Sequence, residues 1–197
     1  YTNQIYQMKE DVKRYNLNYD GLTSIFFGGG TPSLMPLRII DSILSTSLKV
    51  FNFNDNIEIS LEANPSSYET KKFVDLKKLG VNRISIGAQS LNSRNLKFLG
   101  RLHNVNDISR SLNHATKIFN NVSADLMYAF YGQDLDLWIN ELETFIKNFD
   151  LKHISLYQLT IEKGTKFFTD YKRGVIQLMD NDLAADFYTK TNLILNN

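Results

Sequence analysis

Cysteine is absent from all 197 residues. The chain therefore offers no thiolate for a metal, a cluster, a disulfide or nucleophilic attack. Histidine is scarce: His103, His114 and His153 have no spacing of the H-E-x-x-H kind, and no G-x-S-x-G elbow occurs. His114 and His153 read as structural. Charge is balanced at a net +1, which removes any global electrostatic case for nucleic acid or an anionic membrane. No apolar run reaches the ~18 residues of a spanning helix, and no charged-then-apolar leader is visible. The cytoplasm is the default expectation. Short repeats, low-complexity tracts and linkers are also missing, so one domain is expected. The chain opens on Tyr1 rather than Met and ends within or just past a helical pattern at Leu195-Asn196-Asn197. It reads as a piece with ragged ends.

What is present alternates. Ile5, Met8, Val12 and Tyr15 share one helical face. A turn is expected at Asn18–Gly21, then a strand at Leu22–Phe27. Leu37, Ile40, Leu44 and Leu48 predict a helix with Pro36 in its first turn. Ile57–Leu61 alternates as a strand, and Phe73, Leu76 and Leu79 line a helix stopped by Gly80. Arg83–Gly87 and Val122–Met127 are strands either side of a helix carrying Ile108, Leu112, Ala115 and Ile118. A helix through Leu135, Trp138, Leu142, Phe145 and Phe149 leads to a strand at His153–Leu159. A last helix starts near Asp182. The five strand–helix units recur at roughly 25–40 residues, the scale of βαβ units. Right-handed crossovers then give a parallel sheet, either open and doubly wound or a full or partial barrel. The aromatics, 12% of the chain, fall within these patterns and read as core. Lys71-Lys72 and Lys77-Lys78 read as the solvated face of a helix.

Parallel α/β folds place their sites at the carboxyl ends of the strands. Here those ends carry Gly28-Gly29-Gly30-Thr31, then Glu62 and Asn64, then Gln89 and Ser90, then Asp125, and finally Gln158, Thr160 and Glu162. Singly, each has a plain structural explanation: a tight turn, a helix cap, a tie to loop backbone, a buried acceptor. Jointly they occupy one rim. The glycine loop is not a Walker loop, because Gly30 is followed by Thr31-Pro32, and not a dinucleotide fingerprint, because Ser33 takes the last glycine position. Its glycines leave backbone N–H and C=O edges open to an extended polar ligand. Glu62 offers an anionic acceptor for an amine or a ribose, and Arg101 a cationic fork for a carboxylate. A zwitterionic ligand with a sugar would use all three.

The ordered strings FFGGGTPSL, EISLEANP, GVNRISIGAQS, LGRLHN, ADLMY and HISLYQLTIE resemble radical S-adenosylmethionine (radical SAM) proteins. The resemblance is to the family of HemW-type heme chaperones and oxygen-independent coproporphyrinogen III oxidase-like proteins. It runs from about Leu22 to Phe167, and the final string favours the HemW type. It implies an α/β fold, a partial (β/α)6 TIM-like barrel. It makes residues 1–197 a core-domain fragment truncated at both ends, without the first strand, its C-x-x-x-C-x-x-C cluster loop and a C-terminal domain. It implies S-adenosylmethionine as cofactor, a [4Fe-4S] cluster in the parent protein, and heme or porphyrin as a further ligand. Heme-accepting respiratory proteins are the implied partners. By position, Gly29, Gly30 and Thr31 fall where the family's glycine loop meets the cofactor's methionine amine. Glu62, Gln89, Arg101 and Asp125 fall on its acidic, glutamine, arginine and aspartate positions.

Two departures stand out. No cluster cysteine is present, so this chain alone is expected to be inactive. Ala129-Phe130-Tyr131 also replaces the family's Gly-Leu-Pro, and bulk there is expected to narrow the cofactor site. The function expected first is the S-adenosylmethionine-binding core of a heme chaperone. A coproporphyrinogen III dehydrogenase and a cluster-free inactive remnant or binding module are the alternatives.

Overall fold

The computed structural model describes residues 1–17 and 21–196. The turn expected at Asn18–Gly21 lies outside the described residues apart from Gly21. Strands β1 (Leu22–Phe27), β2 (Phe53–Ala63), β3 (Arg83–Gln89), β4 (Asn121–Tyr128) and β5 (His153–Gln158) form one sheet in the order β1-β2-β3-β4-β5. All neighbouring pairs are parallel. A doubly wound sheet reverses its strand order part-way across; this sheet never does. It curls instead as a half-barrel, which decides between the two architectures left open by periodicity.

Helices fill the crossovers. Helix α1 (Thr2–Arg14) precedes the sheet, and α2 (Leu37–Val50) joins β1 to β2. The next two crossovers each hold a pair: α3 (Ser67–Thr70) with α4 (Phe73–Lys78), then α5 (Ser93–Phe98) with α6 (Val105–Ile118). Helix α7 (Leu135–Asn148) joins β4 to β5, and α8 (Lys166–Lys172) and α9 (Asn181–Leu195) follow. The segments differ from expectation in four places. Pro36 caps α2 from outside rather than sitting in its first turn. Strand β2 begins earlier, at Phe53. The single helix expected around Phe73 is two, because Ser66 caps a short turn of its own through Glu69 N–H. Helices α5 and α8 had no visible counterpart in the periodicity.

Strand alternation sorts the sheet into two faces. Leu61, Ile84, Val122 and Ala63, Ile86, Ala124, Ile154 lie in register across the strands. They pack with Ile108, Leu112, Trp138 and Phe145 from the helices into one core. Trp138 is fully buried, and its indole N–H donates to Thr191 Oγ1 at 2.8 Å, tying α7 to α9. The other, concave face is mostly polar, with Met127 and Tyr157 among the exceptions. Glu62 is paired with Ser85, Ser85 with Ser123, and Asp125 with Ser155. Both structural histidines have such roles: His114 stacks on Phe73 with centroids 6.1 Å apart, and His153 Nδ1 lies 2.8 Å from Ser123 Oγ.

Candidate functional site

The carboxyl ends of the strands surround a cavity of about 420 Å³, within the ~300–1,000 Å³ typical of small-ligand pockets. Its lining includes Gly30, Thr31, Glu62, Gln89, Arg101 and Asp125. Gly29 is one step away, its N–H donating to Glu62 Oε2 at 3.1 Å. The seven positions that the family resemblance assigns to the cofactor therefore meet at one place.

The glycine loop enters first. Gly29 has φ 106°, a conformation closed to ordinary L residues, whereas Gly30 does not. A Cβ at Gly30 would find nothing within 4 Å, so the cavity comes right up to the backbone there. The loop is gripped from behind. Buried Glu69 accepts from the hydroxyl of Ser33 and from the backbone N–H of Asn64 at 2.7 Å. It thereby fastens the loop after β1 to the loop after β2. Lys72 Nζ donates to Ser33 C=O at 2.9 Å. Lys72 is therefore half-buried and structural, not part of a solvated face. Asn64 Nδ2 adds a longer bond to Thr31 Oγ1, 3.4 Å.

Gln89 is brought in by a bulge. Between Ile86 and Gln89 the β3–β4 register shifts, which re-aims the side chain at the strand end. Gln89 has φ 69°, and Ser90 N–H closes onto Ala88 C=O at 2.9 Å. This is the rare, strained form of the γ-turn; such backbone costs about 1–3 kcal/mol and persists only where neighbours enforce it. The Gln89 amide folds back over Gly87, where a Cβ would stand 2.8 Å from its Nε2.

Asp125 points into the same space from β4. Ser85 Oγ donates to it at 3.1 Å, and Ser155 also hydrogen-bonds to it. Burial raises its pKa above the ordinary carboxylate value, and those hydroxyls and the Arg83 charge only partly offset the rise. Arg101 is exposed at the rim, and desolvation of the part facing the cavity lowers its pKa. His103 Nε2 lies 3.2 Å from Ala88 C=O. Desolvation is the main cause lowering the His103 pKa. The cavity thus presents two carboxylates, one guanidinium, the amides of Asn64 and Gln89 and open backbone.

Three placements depart from the sequence reading. Gln158, Thr160 and Glu162 do not line the cavity; β5 contributes Tyr157 instead, beside Met127 of β4. Ala129-Phe130-Tyr131 does not narrow it. Ala129 and Phe130 are buried, Phe130 stacks on Phe98 at 5.2 Å, Tyr131 is exposed, and none of them lines the cavity. Ala129 takes φ 55°, a backbone suited to glycine, and Gln133 Oε1 holds its N–H at 2.7 Å. The third is Glu141, which no sequence argument had singled out. From α7 it accepts from Ser90 Oγ at 2.5 Å and Leu91 N–H at 2.6 Å.

The sequence profile of the Radical SAM superfamily matches residues 2–144. The chain belongs to the radical SAM superfamily. This radical SAM chain is 40% identical over 168 residues to a zebrafish protein (Danio rerio) described as radical S-adenosyl methionine domain-containing protein 1, mitochondrial; the match takes in 85% of this chain and 38% of the relative. It is 39% identical over 194 residues to the heme chaperone HemW of Haemophilus influenzae, covering 95% of this chain and 49% of that protein. The chain thus spans two fifths to one half of such relatives. In structure, coproporphyrinogen III oxidase (HemN) of Escherichia coli superposes on 99% of the chain and 45% of its own length, with a TM-score of 0.75 at 23% identity, a likeness of fold.

The donor set fits S-adenosylmethionine, with acceptors for an amine and ribose, a cation for a carboxylate, and glycine backbone beside them. It does not fit an iron–sulfur cluster. The chain has no cysteine, and among the described residues no group of three His, Asp or Glu is placed to hold a metal ion. Among those residues no helix is long and apolar enough to cross a membrane.

Proposed function

We propose that this chain is the S-adenosylmethionine-binding core of a heme chaperone. The observation that carries the reading is the convergence of Gly29, Gly30, Thr31, Glu62, Gln89, Arg101 and Asp125 on one cavity. In this reading the Gly29–Thr31 backbone and Glu62 receive the amine end of the cofactor, and Arg101 pairs with its carboxylate. Gln89 and Asp125 bond the nucleoside end, with Asp125 accepting from a hydroxyl. When bound, the cofactor supplies a sulfonium whose cleavage starts radical chemistry in the family. These residues hold no ligand for a cluster, so their share is binding and orientation. The relatives described as heme chaperones support heme as the second ligand; delivery to heme-accepting respiratory proteins is part of the proposal.

The test uses the full coding sequence, expressed and reconstituted anaerobically. S-adenosylmethionine binding is measured by calorimetry, hemin binding by absorbance, and coproporphyrinogen turnover by product analysis. Binding of both ligands without turnover is the expected result. Turnover would make the protein a dehydrogenase. No S-adenosylmethionine binding would overturn the reading and leave a cluster-free module on the same fold.

A further inference from the structure

Gln89 sits at the centre of a turn that an unconstrained chain avoids. Two supports bracket it. On one side His103 Nε2 contacts Ala88 C=O at 3.2 Å. On the other, Glu141 engages the two residues that follow, accepting from Ser90 Oγ at 2.5 Å and from Leu91 N–H at 2.6 Å. Its second oxygen reaches Asn95 Nδ2 at 3.4 Å, and Ser90 Oγ in turn receives Asn92 N–H at 3.0 Å.

Glu141 is an unusual residue for its place. It lies on the buried stripe of α7 between Trp138 and Leu142, 9% exposed. Burial there penalises its charge and raises its pKa. An apolar side chain would pack as well without that penalty. What only a side-chain acceptor supplies is the grip on the loop directly behind Gln89.

We propose that Glu141 is a positioning residue: it holds Ser90 and Leu91 so that Gln89 keeps its left-handed turn and aims its amide into the cavity. Through Gln89 it sets the affinity for the bound ligand, and in that last step the proposal rests on the cavity being the S-adenosylmethionine site. Glu141 itself touches no ligand.

The test compares Glu141→Leu, which keeps bulk and removes both acceptors, with Glu141→Gln, which keeps one. Selective 15N-glutamine labelling of the chain, with Gln89→Ala to assign the signal, reads the turn without any ligand. In Glu141→Leu the Gln89 side-chain amide is expected to move to the position of an exposed glutamine. In Glu141→Gln it is expected to stay. S-adenosylmethionine is then titrated into the reconstituted full-length protein. Glu141→Leu is expected to weaken binding about tenfold, as for groups sharing one hydrogen-bond network, and to add under about twofold once Gln89 is alanine. A purely structural role would weaken binding equally in both backgrounds. That result, or a folded Glu141→Leu with its Gln89 signal unmoved, overturns the proposal. Should Glu141→Leu fail to fold, Ser90→Ala removes one link of the grip and is read the same way. Should the unaltered protein not bind S-adenosylmethionine, the functional reading falls, and the glutamine signal alone decides whether Glu141 holds the turn.

Discussion

Gly30→Ala separates folding from binding. Gly30 lies outside the left-handed region, and the added methyl would meet no atom within 4 Å. Nothing in the folded state resists it. Loss of unfolded-state freedom then stabilises the variant by about 0.4–1 kcal/mol, or roughly 1–4 °C in Tm for a chain of this size. The ligand sees the opposite. The methyl projects into the cavity that the backbone now borders directly. Overpacking of a filled site costs about 1–3 kcal/mol, a loss of roughly 5- to 150-fold in affinity. The assay is urea unfolding alongside calorimetric titration of S-adenosylmethionine into the reconstituted full-length protein. Gly29→Ala is the contrast. Its φ of 106° makes any side chain strained, so stability is expected to drop by about 1–3 kcal/mol. A Gly30→Ala protein that binds within twofold of the original would refute the placement of the ligand against this backbone.

Glu62→Ala removes the acceptor held by Gly29 N–H and is expected to weaken S-adenosylmethionine binding at least about tenfold; unchanged titrations would cancel the assignment of Glu62. Asp125 has a raised pKa, so the folded state holds its proton more tightly than the unfolded state does. Stability from this group is present at low pH and is lost as pH rises from the ordinary carboxylate value through the raised one. Asp125→Asn is therefore expected to shrink the fall in stability across that window in urea titrations, while Glu141, raised in the same direction, preserves part of it. Thr191→Val leaves the buried Trp138 indole without an acceptor and is expected to cost about 1–3 kcal/mol in thermal unfolding.

The strands were legible as short apolar runs ending in polar or glycine-rich loops, and the register then sorts their side chains, with Leu61, Ile84 and Val122 facing one way and Glu62, Ser85 and Asp125 the other. Helices α3, α5 and α8 were not, since four to seven residues complete too few turns to repeat an apolar position. Glu62, Gln89, Asp125 and the glycine loop were legible from strand ends, whereas Arg101, between α5 and α6, was not. Tyr157 was missed because β5 was read through its polar tail; the parity of Asp125 and Met127 on the neighbouring strand would have pointed to it. Glu69 carried a usable sign, the Ser66-x-x-Glu69 spacing of a capping box. Glu141 carried another, a carboxylate set between Trp138 and Leu142 on an apolar stripe. Lys72 was hidden, because nothing local distinguishes a lysine that caps Ser33 C=O from one that faces water.

The two-faced sheet has a consequence for how such a chain can change over time. The apolar core lies on the face turned toward the helices, and the proposed ligand contacts on the face turned toward the hollow. A substitution on one face leaves the other nearly untouched, because the pleat keeps their side chains apart. Ligand preference can therefore drift by exchange of concave-face residues such as Met127 or Tyr157 at little cost to folding. The buried supports, Glu69 and Glu141, are where that freedom ends, since each reaches from the scaffold into the rim and ties the two histories together.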